Sequence, residues 1–323
     1  VEVATPAELL AVEKDANVRL TADIDLLNAE WTPLGDQQEP YSGVFDGGNH
    51  TISNFRITNK HDDFVGFFGV VTGTVFDLSL ANVLIDYSTD FLTYAGLLAG
   101  YVSGDLTNID VQGSVRIVSS QSNVFAGGLA GKTYNVQIQG AVVAADLELA
   151  NDQYRIYAGG LSGHNYSGLL KGFEHVLDVT DIVHEDLIVE ATIRTLTTEG
   201  AVGGLYVYDS YGVIRRAAVR VEVFFGEIPL SVGGLSGESW NGSYLQSAAA
   251  VVFGTAILDH DEHIWGGIVG LTWGTIAADS SVYALDDGLS PTNDFGSETD
   301  WEDLRSPAFF EIELAWGEAA MLQ

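Results

Sequence analysis

The chain has 323 residues, 46% of them apolar, enough for a large core or a long stack of small repeats. Its 45 acidic and 13 basic side chains give a net charge of −32, which argues against nucleic acid and anionic lipid as partners because both need a basic face. There is no cysteine, which excludes disulfides, thiolate metal sites and a cysteine nucleophile. No apolar run approaches the roughly 18 residues of a membrane span, so no membrane insertion is expected.

Two readings of the charge remain. One is a hydrated acidic surface that stays soluble in high salt, where self-repulsion is screened within a few Å. The other is a calcium-rich extracellular setting in which many carboxylates are offered to Ca2+. Only four basic residues are lysine (Lys14, Lys60, Lys132 and Lys171), and few lysines among many carboxylates favour a halophilic or marine source. The start at Val1, with no signal-like segment, reads as a processed or excised product.

Residues 5–15 open with a capping box: Thr5, Pro6 at the first helical position and Glu8 three after the cap, followed by Leu9, Leu10 and Val12 on one face. A short helix is predicted there, covering the N-terminal end of the repeats. Val18–Leu26 alternates like a strand. Short apolar runs around the turn Asp46–Asn49 lead into the repeats.

One box then recurs seven times, a small or aromatic residue, glycine and an apolar run usually closed by another glycine. It reads VGFFG at Val65–Gly69, AGLLAG at Ala95–Gly100, AGGLAG at Ala126–Gly131 and AGGLSG at Ala158–Gly163. It continues as VGGLYV at Val202–Val207, VGGLSG at Val232–Gly237 and WGGIVG at Trp265–Gly270. The first glycines, at 66, 96, 127, 159, 203, 233 and 266, are separated by 30, 31, 32, 44, 30 and 33 residues. A fixed period in this range marks a repeat architecture. In six units a second turn glycine follows and opens an alternating strand, as in GTVFDLSL from Gly73 and GDLTNIDV from Gly104.

Three short strands in about 30 residues without a helix fit one coil of a parallel β-helix; a propeller blade would need four strands and over 40 residues. The expected fold is all-β, a single-stranded parallel β-helix of about eight or nine coils, right-handed by analogy with most such folds. It forms one domain over 1–323, with an N-terminal cap at 1–17, coils over 18–288, and a C-terminal linker and cap at 289–323. Thr299–Phe310, with a second cap-like threonine and Trp301, Leu304, Phe309 and Phe310, supplies the closing cap that a solenoid end requires.

The boxes AGGLAG, AGGLSG and VGGLSG resemble the GLUG-motif repeats; ADIDL, WTPLG and FDGGNHTISNFRI look like the entry coil that precedes such repeats, and WEDLRSPAFF near the C-terminus like that family's closing segment. The resemblance covers nearly the whole chain. It implies a secreted or cell-surface, adhesin-like β-helix, since the motif occurs in adhesins and other large secreted proteins, including some IgA-cleaving peptidases whose repeats are not the catalytic part. It supplies no catalytic residues, and the chain contains no HExxH or other peptidase signature.

Three groups are candidate sites. Tyr101, Tyr134, Tyr166, Tyr211, Trp240 and Trp273 each follow a box by a few residues, with Tyr208 an alternative to Tyr211. Stacked coils would line these rings along one edge as a sugar-binding ladder, or as a column that shields the corner. The 44-residue step carries about 12 extra residues, placed within Asp178–Glu199, where Asp181, His184, Glu185 and Asp186 could hold a cation or form only a solvated acidic loop. Asp259-His260-Asp261-Glu262-His263 is the densest set of ligand types, although neighbours on an extended loop point in different directions. Asp62-Asp63 and Asp286-Asp287 are further calcium contacts to consider, and no cofactor motif is present.

The function expected is a non-catalytic module on a cell or virion surface, salt-adapted, that binds a glycan or surface protein. Association into homo-oligomers or a larger assembly is compatible with this. A β-helix polysaccharide lyase or hydrolase is the alternative, with carboxylates and Arg194, Arg215, Arg216 and Arg220 on adjacent coils, and a structural spacer is the third.

Overall fold

The computed structural model describes residues 1–59, 63–166, 182–197, 199–209, 212–225 and 230–239, with strand paths at 243–256, 264–266, 269–272, 277–279, 282–285 and 297–298. The thirty-residue period becomes an all-parallel β-solenoid built on three sheets. Each coil gives one long strand and two short ones. In the third boxed coil these are Leu106–Ser119, Val124–Gly127 and Ala130–Tyr134. The long strands form a 13-stranded sheet, and the two kinds of short strand form a seven-stranded sheet each, one strand per box.

The sequence produces this because alternation along each long strand sends every second residue inward. Val111, Val115 and Ile117 pair in register with Val143, Leu147 and Leu149 of the next coil, and all six are buried. Apolar residues thus meet their equivalents one strand spacing away, roughly 4.8 Å, and form continuous columns.

The glycine box makes an arch between the two short strands. A Cβ on Gly127 would lie 2.1 Å from Ala130 O, and one on Gly131 would lie 2.3 Å from Ala95 N. The two strands of the arch therefore approach back to back, closer than any side chain allows. At the tip, a Cβ on Gly128 would meet Val143 Cγ1 at 2.5 Å and Ala145 Cβ at 2.9 Å. The arch folds inward, and its tip presses on the inner face of the long sheet.

Among the described residues, seven pairs of short strands are joined by six turns, fewer than the eight or nine coils expected. The overcount arises at the N-terminus. Residues 1–57 add strands to the long sheet alone, and their backbone pairs with the short sheets only through isolated bridges, Leu34 to Phe68 and Tyr41 to Val71. That end is filled with rings. Trp31 stacks on Phe67 at 4.9 Å, Phe67 meets Phe68 edge to face at 4.8 Å, and Phe45 meets Phe68 at 5.5 Å. The box VGFFG departs from the others because its two phenylalanines close this opening. The helix Pro6–Leu10 carries Leu9 into the same core, with Glu8 N–H donating to Thr5 Oγ1 and Ala4 N–H to Glu8 Oε2.

A kink recurs near the start of five successive long strands. Asp77, Asn108, Gly140, Asp186 and Arg216 occupy one column, all with φ between 47° and 69°. Asn, Asp and Gly tolerate this left-handed conformation best. Arg216 is the exception and is clamped, its Nε and Nη2 donating to Asp186 Oδ1 and Oδ2 at 2.6 and 2.9 Å.

Candidate ligand-binding faces

Of the six aromatics expected in one ladder, three lie among the described residues. Tyr134 and Tyr166 are in register and stack at 5.3 Å with 7° between planes. Each ring of the pair has one face covered by the other. Tyr101 stands in the neighbouring column, paired with Lys132 and through it with His164. Tyr211, Trp240 and Trp273 lie outside the described residues; the strand holding Tyr208 pairs it with His164 and Glu238.

A second aromatic series lies opposite, on the first strand of the arch. Phe64, Tyr94, Phe125 and Tyr157 stack in order, at 5.3, 5.0 and 4.6 Å, with planes within 18°. The signal was legible, since each ring precedes its box glycine by two residues. Lys132 reaches across the arch, its ammonium 5.7 Å from the Tyr94 ring and 5.8 Å from that of Tyr101. Burial holds the Lys132 pKa below its ordinary value. His164, stacked on Phe125 at 5.7 Å, is pushed down to about 4 by burial and then by the Lys132 charge.

The series breaks at the fifth box, and the break explains VGGLYV. Where the other boxes close with glycine, this one has Val207, and the aromatic column there carries Ala201. Val207 and Ala201 are fully buried in one cluster with Tyr157 and Phe125. A larger residue on one strand is matched by a smaller one on the other.

The extra residues of the 44-residue step fall earlier than expected. Val183–Thr197 is a regular strand of the long sheet, paired through its length with Ile138–Asn151. Tyr134 and Ile138 are four positions apart, whereas their partners Tyr166 and His184 are eighteen apart, so the added length lies between 166 and 184. The charges in DIVHEDLIVE look like a loop but alternate as a strand does. His184 and Asp186 consequently do not converge. His184 replaces Ile138 in a core column; its ring contacts Val136 O through Nε2 at 2.8 Å, and the Tyr206 hydroxyl through Nδ1. Burial pushes its pKa down to about 4. Asp186 is turned to Arg216. Asp181, His260, Asp261, His263, Asp62, Asp286 and Asp287 lie outside the described residues, as does the Thr299–Phe310 cap. Among the described residues, no group of three or more His, Asp or Glu side chains is gathered to hold a metal ion.

The outer face of the long sheet holds a groove of about 560 Å3 that sequence reading did not anticipate. Its floor is the backbone at Gly113 and Ala145, with the small outward residue Ala144 beside it; the Ala145 methyl itself faces the core, and a Cβ on Gly113 would sit 2.3 Å from Val83 O. Asn82, Gln112 and Glu190 line one side, and Ser114, Asp146 and Thr192 the other. Arginines stitch adjacent coils beside it: Arg116 lies 3.6 Å from Asp86 and 3.4 Å from Glu148, Arg194 lies 4.0 Å from Asp146, and Arg220 pairs with Glu190.

With this geometry in place, the chain can be set beside known proteins. No family model matches it. It is 32% identical to halomucin of Haloquadratum walsbyi over 151 residues, 41% of this chain and 2% of halomucin. It is 31% identical, over 100 residues, to a protein of Evansella cellulosilytica described as a Gly-rich membrane protein, covering 30% of this chain and 11% of that one. The chain thus spans a small part of the relatives it matches. A crystal structure described as an immunoglobulin A1 protease from Bacteroides ovatus superposes with a TM-score of 0.53 at 16% identity, covering 98% of this chain and 87% of that one. That likeness concerns the fold alone. No helix among the described residues is long and apolar enough to cross a membrane.

Proposed function

We propose that this chain is a non-catalytic, surface-displayed β-solenoid module that holds a long face outward for adhesion to a glycan or a surface protein. The observation that carries this reading is the 32% identity to halomucin, a protein whose name joins salt and mucin. The likeness to a protein described as a membrane protein supports the same location. The chemistry of the outer face agrees with salt adaptation. Its arginines pair across coils with carboxylates, while the excess of 45 acids over 13 bases remains for water and counterions. Copies of such rods could associate side by side once salt screens that charge.

The test is antibody labelling of intact, unpermeabilised cells that express the protein, together with release of its peptides by an external protease. Labelling only after permeabilisation would overturn the reading.

A further inference from the structure

We infer that the groove on the long sheet is a binding site for an extended, neutral oligosaccharide lying along the solenoid axis. The inference rests on the surface-module reading above and names the ligand class that the module would take.

Three features of the groove point to this ligand. The first is spacing. Strands of the sheet are about 4.8 Å apart, and the groove offers one set of polar groups per coil, from Asn82 through Gln112 and Ser114 to Asp146 and then Glu190 and Thr192. A β-linked hexose chain in extended form advances per sugar by a length close to this strand spacing, with alternate rings turned over, so successive rings meet successive coils. The second is chemistry. Amides and hydroxyls donate to and accept from vicinal hydroxyl groups, carboxylates accept from them, and the small outward Ala144 beside the backbone of Gly113 and Ala145 leaves room for a ring. A volume of about 560 Å3 lies in the range of small-ligand sites.

The third is charge. The net charge of −32 disfavours a uronic-acid or sulfated chain. Yet Arg194 stands 4.0 Å from Asp146 and Arg220 is paired with Glu190, so the two carboxylates are already matched and do not call for a cationic ligand. A neutral polyol is what remains.

The experiment is titration calorimetry of the full chain in high salt with cellohexaose and chitohexaose, with polygalacturonate and oligolysine as charged comparators. Ala144→Trp fills the groove from its outward side; Gln112→Ala and Thr192→Ala trim polar contacts without touching the core. Each variant is first checked for native circular dichroism. The expected result is binding of a neutral hexaose that Ala144→Trp abolishes and that Gln112→Ala or Thr192→Ala weakens by about tenfold. Retention of binding in Ala144→Trp together with its loss in Tyr101→Ala would place the ligand at the arch and overturn the inference. So would binding of oligolysine alone, or of no glycan. In those cases the surface reading is judged separately, by the cell labelling.

Discussion

The Tyr206 hydroxyl meets His184 Nδ1 inside the core, and this pair replaces two residues that the neighbouring coil fills otherwise. His184 stands in register with Ile138, and Tyr206 with Ser162. With Nε2 held at 2.8 Å from Val136 O, the histidine is neutral, carrying its proton on Nε2 and accepting on Nδ1. Tyr206→Phe leaves Nδ1 unpaired in the interior and should cost about 1–3 kcal/mol by denaturant unfolding. The double variant His184→Ile with Tyr206→Ser reproduces the adjacent coil and should recover much of that loss.

The same histidine sets a pH dependence. Its folded pKa of about 4 lies below the ordinary 6.5, so between these values the unfolded chain binds the extra proton. The contribution is complete above pH 6.5 and is lost as pH falls toward 4, by about 3 kcal/mol in all. Urea midpoints measured at pH 7 and pH 4.5 should differ more in the wild type than in the double variant. Equal slopes in the two proteins would remove His184 as the cause.

A compensating pair links the two strands of the fifth arch. Ala201→Tyr alone forces a ring against Val207 and should cost about 1–3 kcal/mol. Adding Val207→Gly restores the arrangement of the boxes before it and should return part of that loss. A double-mutant cycle showing strict additivity would mean that the two positions are independent.

Two glycines separate close approach from backbone conformation. Gly127→Ala places a methyl 2.1 Å from Ala130 O and 2.6 Å from Leu161 O and should cost more than about 4 kcal/mol, or prevent folding. Gly140→Asn puts into a φ of 69° the residue type that Asn108 supplies one coil earlier. Its thermal midpoint should stay within about 2 °C of wild type, the equivalent of roughly 1 kcal/mol in a chain of this size.

Salt should stabilise the molecule as a whole. Each exposed cross-coil ion pair contributes at most about 1 kcal/mol and is weakened by salt. Repulsion among the unmatched carboxylates is relieved by the same salt, and with 45 acids to 13 bases the repulsive part is larger. Calorimetric melts should therefore rise by several degrees from about 0.1 to about 2 M NaCl. A midpoint that falls over this range would contradict the salt-adapted reading.

The coil was readable in the sequence because the constraint that makes it is harsh. Where two backbones meet at Gly127 and Gly131 no other residue fits, and such positions stand out at a fixed period. The direction in which the arch folds was not readable, since it depends on the contact of Gly128 with Val143 and Ala145 from another strand. The left-handed column escaped notice because Asp77, Asn108 and Gly140 share a conformation and no common side chain. His184 read as a ligand because an ionisable residue in an acidic segment suggests a surface; register put it in a core column instead. The groove could not be found from spacing at all. Its floor, backbone at Gly113 and the small outward Ala144, is an absence of bulk, which pattern reading does not detect.

The inward arch also makes this molecule a ruler. With glycine backbones in contact and the tip seated on the opposite sheet, a coil has no slack in which to thicken or thin. Each added repeat moves everything beyond it outward by one strand spacing, about 4.8 Å, and turns the next outer face by a constant angle. Duplication or loss of a thirty-residue unit then changes how far along the rod a face lies, without redesigning the face itself.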